Sequence, residues 1–163
     1  MRHIISILVE NEAGELSRIS GLFSARGYNI DSLTVAPTYD PSLSRLTMAT
    51  YGSEDIIEQI VKQLHKLICV VKLSVLTDHA YIERELMLVK IATTGEMRSE
   101  VPRLAEIFRG RIVDVTPRSF VVELVGCSEK LDAFLEAVGT RHLLEIARTG
   151  VTGMSRGETR LSL

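Results

Sequence analysis

Residues 9 to 33 read 9-VENEAGELSRISGLFSARGYNIDSL-33, and here the residue types first suggest chemistry. An apolar run leaves through Asn11-Glu12-Ala13-Gly14 and passes directly into a helical period. Asn11 carries a carboxamide that both accepts and donates. Gly14 lets a ligand approach the backbone and permits unusual torsions. The N–H groups of Glu15, Leu16 and Ser17 then open a helix with no intrahelical acceptors, at its positive dipole end. Such a corner suits a carboxylate, with Asn11 in reach of a neighbouring ammonium or carboxylate. The same residues also suit a plain strand-to-helix turn, with Asn29 merely opening the next strand.

Catalytic patterns are absent from the sequence. His3, His65, His79 and His142 are scattered, with no H-E-x-x-H spacing. No serine sits in a G-x-S-x-G elbow, and Cys69 and Cys127 have neither metal nor redox spacing. Phosphatase chemistry would want an arginine in the first loop, whereas 10-ENEAGE-15 is acidic. The chain is therefore expected not to be an enzyme by itself, and to hold no metal.

The 163 residues, 45% hydrophobic and 25% charged, suit one ordinary domain or two very small ones. A net charge of -2 gives no general attraction to nucleic acid or anionic membrane. Runs such as 4-IISILV-9 and 67-LICVVKL-73 are too short to span a bilayer. No signal-peptide pattern opens the chain, and the two cysteines are expected to be reduced, packed thiols in a cytoplasmic protein.

The elements that position the loop form one plan written twice. Residues 3–10 are a central strand. Leu16, Ile19, Leu22 and Phe23 make the apolar stripe of a helix that ends at Arg26-Gly27. Residues 28–36 are expected to form a strand with a bulge, and 43–51 another. Ser53 caps a second helix, and 69–76 is a strand with Val71, Leu73 and Val75 inward. After the connector 77–85 the pattern restarts with a strand at 85–92. A helix follows from Ser99, with Pro102 in its first turn, then strands at 111–115 and 119–125. A helix capped by Ser128 and a strand at 143–148 complete it. The fold class is α+β: two ferredoxin-like β-α-β-β-α-β domains in tandem, assigned to residues 1–78 and 79–163, with a flexible tail from about 150. Each sheet is expected to leave one face bare, and Ile5, Met48 and Val122 are read as outward apolar positions that meet other units. The RNA recognition fold shares this element order, but 43-LSRLTMATY-51 offers no aromatic before Tyr51 for stacking bases.

The run V-x-N-x-x-G-x-L-S-R-x-x-G-L-F-x-x-R-G-Y-N-I-x-S-L-T-V at 9–35 resembles the ACT domain of the small regulatory subunit of acetolactate synthase. Supporting stretches are 36-APTYDPSLSRLTM-48, 63-QLHKLICVVKL-73, 81-YIERELMLVKI-91, 106-EIFRGRIVDVTP-117 and 147-ARTGVTGMSRGE-158, while 94-TGEMRSEVPRL-104 diverges. The resemblance implies an N-terminal ACT domain that pairs in a homodimer and binds a branched-chain amino acid, usually valine, in the interface. Asn11, Ala13, Gly14, Glu15 and Leu16 would hold the effector from one chain, with Asn29 and Ile30 reaching it from the partner. It further implies a large catalytic partner subunit that carries thiamine diphosphate, Mg2+ and FAD, and that 153-GMSRG-157 helps contact it. A stand-alone amino-acid-binding regulator of another enzyme is the alternative that the same residues allow.

Overall fold

The computed structural model describes residues 1–162, which divide into two compact units. The first takes residues 1–83 together with the chain from 151 onward, and the second takes 84–150. The division therefore differs from the expected 1–78 and 79–163, because the segment from 151 packs with the first unit.

In the first unit the order is β1 (Arg2–Glu10), α1 (Glu15–Ala25), β2 (Ser32–Pro37), β3 (Leu43–Tyr51), α2 (Glu54–Leu64) and β4 (Val70–Val75). The strands form an antiparallel sheet in the order β2-β3-β1-β4, so β2 and β4 are its edges. Ile5, Ile7 and Val9 of β1 and Leu46 and Met48 of β3 pack with Ile19, Leu22 and Phe23 of α1 and Ile57, Ile60 and Leu64 of α2. Ile5 and Met48 therefore face the helices in the core and are not outward positions.

Several local expectations change for identifiable reasons. The buried stripe of α1 is Glu15, Ile19, Leu22 and Phe23, while Leu16 stays 46% exposed at the rim. Glycine at position 27, with φ 67°, closes α1, and the Tyr28 N–H reaches back to the Phe23 carbonyl. β2 begins only at Ser32, because Tyr28, Asn29 and Ile30 are used to return from α1. In β4, the register slips opposite Leu8/Val9, so Val70 pairs with Val9 and Lys72 with Leu8. Val71 is the extra residue, and it lies exposed where inward alternation was expected.

The second unit contains most of β5 (Tyr81–Ala92), α3 (Met97–Ile107), β6 (Arg111–Val115), β7 (Ser119–Gly126), α4 (Ser128–Val138) and β8 (Leu143–Arg148), with sheet order β6-β7-β5-β8. Its core joins Met87, Val89, Ile91, Val122 and Leu124 to Val101, Leu131 and Phe134. Val122 is thus inward too. α3 starts two residues before Ser99, which puts Pro102 inside the helix. Cys127, not Ser128, is the N-cap of α4, and the Ser128 hydroxyl turns to Glu85 Oε2 at 3.4 Å. On this sheet's other face, Leu88, Lys90, Val121, Glu145 and Ala147 line an open depression of 180 Å³.

The largest departure lies beyond residue 150. Thr152–Ser155 form a ninth strand, β9, which pairs with β5 near its start, where the Arg156 N–H donates to the Ala80 carbonyl. Val151 packs with Ile4, Ala49, Leu76 and Tyr81 as a second apolar cluster of the first unit. Arg45 ties the segment down, with Nε donating to Ser6 Oγ at 3.0 Å and Nη2 to the Gly153 carbonyl at 2.9 Å. The face of the first sheet carrying Ile4, Ser6, Thr47 and Ala49 is consequently buried, not bare. Gly153 is needed for this close approach: a Cβ there would lie 2.8 Å from Leu76 Cδ1.

Candidate functional site

The β1–α1 corner is built by hydrogen bonds from one end of the sheet. The Asn11 N–H donates to the Ser42 carbonyl at 2.7 Å. Its carboxamide Nδ2 donates to the Pro41 carbonyl at 2.9 Å, and Oδ1 accepts from Ser44 Oγ at 3.0 Å. Both ends of the Asn11 side chain thus clamp the loop to the β2–β3 turn, rather than reaching out as the sequence suggested. Gly14 occupies the N-cap of α1 at φ 95°, ψ -11°, a left-handed conformation open to glycine at little cost. With no side chain there, the first-turn N–H groups of Leu16 and Ser17 precede the first intrahelical bond, from the Arg18 N–H to the Gly14 carbonyl at 3.1 Å.

A cavity of about 80 Å³ opens at this corner. Asn11, Glu15 and Leu16 line it, with Val9, Ile19, Val35 and Leu46 as an apolar wall and Ser44 beside Asn11. Of the expected site residues, these three meet at the cavity, while Ala13 and Gly14 shape the loop beside it. Asn29 and Ile30 do not line it within the same chain. The Asn29 carbonyl accepts from Thr50 Oγ1 at 2.6 Å, and Ile30 packs on the core. Ser44 and Leu46 were not foreseen, although the alternation of β3 places both on the face that carries the loop.

Glu15 is the unusual member. It is only 6% exposed, and its Oε2 has no donor among the described residues other than the Cys69 thiol beside it. Oε1 is held by Arg18 Nη1 at 3.3 Å. The Cys69 thiol lies beside it, and burial together with the Glu15 carboxylate pushes that thiol up to about 11. The neighbouring thiol therefore remains protonated and neutral at physiological pH.

No group of three or more His, Cys, Asp or Glu side chains among the described residues could hold a metal ion. An RNA-stacking surface on the first sheet is ruled out by geometry, since its helix-free face lies under the segment from Val151. No described helix is long and apolar enough to cross a membrane.

The β-α-β-β-α-β unit and its glycine-capped corner define an ACT-type domain, joined to a second unit of the same order. Residues 5–72 match the AHAS small subunit-like ACT domain, and residues 84–157 match the family described as the small subunit of acetolactate synthase. The acetolactate synthase isozyme 3 small subunits of Salmonella typhimurium and Escherichia coli are each 58% identical over 159 residues, 97% of this chain and 98% of theirs. The crystal structure of the acetolactate synthase small subunit from Thermotoga maritima superposes with a TM-score of 0.87 at 38% identity, covering 98% of this chain and 99% of that one. The chain belongs to the acetolactate synthase small-subunit family.

Proposed function

We propose that this regulatory small subunit senses a branched-chain amino acid, valine foremost, and transmits its presence to a catalytic partner as feedback inhibition. In the absence of effector it activates that partner, which carries the thiamine diphosphate, Mg2+ and FAD for condensing two pyruvates, or pyruvate with 2-oxobutyrate. The chain itself performs no chemistry. The observation that carries this reading is the cavity at the α1 N-terminus, where free helix N–H groups meet the apolar wall of Leu16, Val35 and Leu46. A zwitterion with a small branched side chain matches that pairing: its carboxylate takes the N–H groups and its methyls take the wall.

Val35 belongs to β2, an edge strand whose outer side pairs with no other strand among the described residues, and its side chain is 41% exposed. Two chains joined at this edge would form a two-fold homodimer and bring Asn29 and Ile30 of one subunit toward the corner of the other. A coupling of about 1–3 kcal/mol between effector and partner then suffices for feedback control.

Calorimetric titration of the full chain with valine, serine and phenylalanine tests the reading. Valine should bind most tightly. Gly14→Asp, which forces a side chain and a negative charge into the left-handed N-cap, should weaken valine at least tenfold. It should also desensitise the reconstituted enzyme. The site is misassigned if Gly14→Asp and Asn29→His both bind valine like the parent.

A further inference from the structure

We propose that the turn joining β2 to β3 is a mount for binding the catalytic partner. It presents the ring of Tyr39 as an anchor for an apolar hollow on that subunit, and Asn11 ties the anchor to the β1–α1 corner. The inference rests on the proposed regulatory role and adds to it the surface through which that role is exerted. Tyr39 is 100% exposed. A lone exposed apolar side chain is ordinary on a protein surface, but the backbone under this one is held in unusual detail. Thr38 Oγ1 donates to the Asp40 carbonyl at 3.0 Å and accepts from the Asp40 N–H at 3.1 Å, clasping the tyrosine between them. Asp40 Oδ1 accepts from the Ser42 hydroxyl at 2.7 Å and from the Ser42 N–H at 2.9 Å, bonds that hold its carboxyl below the usual carboxylate range. The Leu43 N–H donates to the Asp40 carbonyl at 3.0 Å, and Pro37 and Pro41 fix φ on either side of the tip.

Such a mount lowers the cost of association. A backbone already fixed has little freedom left to lose on docking, and tyrosine is among the residues that dominate interface energetics. The tip stands beyond the last β2–β3 ladder pair, Pro37 with Ser44, and borders a cavity of about 240 Å³ that Tyr39 shares with Leu8, Leu43 and Arg160. Strand alternation puts Leu8 and Leu43 on the helix-free side of the first sheet, so the tip is set apart from the β2 edge proposed to join two copies. The base of the turn belongs to the corner. The Asn11 N–H donates to the Ser42 carbonyl and its Nδ2 to the Pro41 carbonyl, two successive residues of the turn. An effector that repositions Asn11 therefore repositions the base of the mount, and affinity for the partner becomes linked to occupancy of the corner.

Two measurements on the full chain test this. In activation assays Tyr39→Ala should weaken the apparent affinity for the catalytic subunit at least tenfold, while Tyr39→Phe stays within roughly threefold of the parent. Both variants should keep the parent's thermal midpoint, sedimentation and valine affinity. The chain contains no tryptophan, so Tyr39→Trp made with a fluorinated tryptophan gives a single fluorine NMR signal. That signal should shift or broaden when the unlabelled catalytic subunit is added, and should shift when valine is added to the free chain. The inference is overturned if Tyr39→Ala activates the catalytic subunit like the parent, or if the signal ignores either addition. Lost activation accompanied by altered sedimentation overturns it as well, since the turn would then serve the pairing of two copies. Should valine fail to bind the parent at all, the effector reading falls and takes the link through Asn11 with it, while Tyr39→Ala still decides the anchor.

Discussion

At the residue scale, the corner shows what sequence types can and cannot reveal. Gly14 was legible because a glycine just ahead of a helical period has few roles other than an unusual torsion, and its φ of 95° is such a torsion. The roles of Asn11 and Glu15 were not legible. Nothing in 10-ENEAGE-15 says that the asparagine is tied to Pro41 and Ser44, or that the carboxylate is the buried one. Apolar periodicity put Leu16 inward; burial begins one residue earlier, so a charged residue takes the inner position. Cys69 offers an independent check on this crowding. Its thiol, pushed up to about 11 by burial and by Glu15, ionises in the unfolded chain near 9 and in the folded chain only later. The native state therefore holds the proton longer, and stability falls as pH rises from about 9 to 11. In a Cys127→Ser background, alkylation of Cys69 at pH 8 should run roughly 100-fold slower in the native protein than in urea, following the thiolate fraction. Equal rates would show that the thiol is not shielded.

At the element scale, 3-HIISILVE-10 reads as a central strand covered on one face of a sheet whose other face is bare, and the second cover is not legible in it. Both faces are buried because helices lie on one and the segment from Val151 lies on the other. That segment is short, polar and glycine-rich, and such composition usually marks a frayed terminus. Its order comes from tertiary partners far away in sequence, namely Arg45 through its bond to the Gly153 carbonyl and the apolar cluster at Ile4 and Leu76. The bulge at Val71 was hidden for a related reason, since a run of apolar residues gives no phase by which to see one inserted residue. Gly153→Val should drive its new side chain into Leu76 and the Ile82 carbonyl. We expect a loss of about 1–3 kcal/mol, read as a thermal midpoint several degrees lower, with faster proteolysis near residue 156. An unchanged midpoint would mean that β9 does not need this contact.

At the scale of the whole molecule, the tandem repeat was readable because each half repeats the order strand, helix, two strands, helix, strand. The boundary was not, because the first unit is discontinuous in sequence. This changes how the tail can be tested as a contact for the catalytic partner. Removing residues 151–163 would expose Ile4, Ala49 and Leu76 along with whatever surface the tail presents. We expect the truncated chain to lose much of the first unit's stability, to bind hydrophobic dyes and to aggregate, so that lost activation would be ambiguous. Met154→Glu is the cleaner probe, since that side chain is exposed on β9. If the tail meets the partner, this variant should keep its thermal midpoint and valine affinity while losing activation severalfold. Full activation would remove β9 from the contact.

The return of β9 also sets the order in which the molecule can be made. A ribosome emits the helices and strands of residues 84–150 before it emits the segment that covers the helix-free face of the first sheet. Throughout that interval the nascent chain carries Ile4, Ala49 and Leu76 without the cover of Val151. Synthesis thus has a window of vulnerability that lasts until residues 151–155 can fold back, and slowing translation over residues 84–150 should lengthen the time that chaperones spend on this chain.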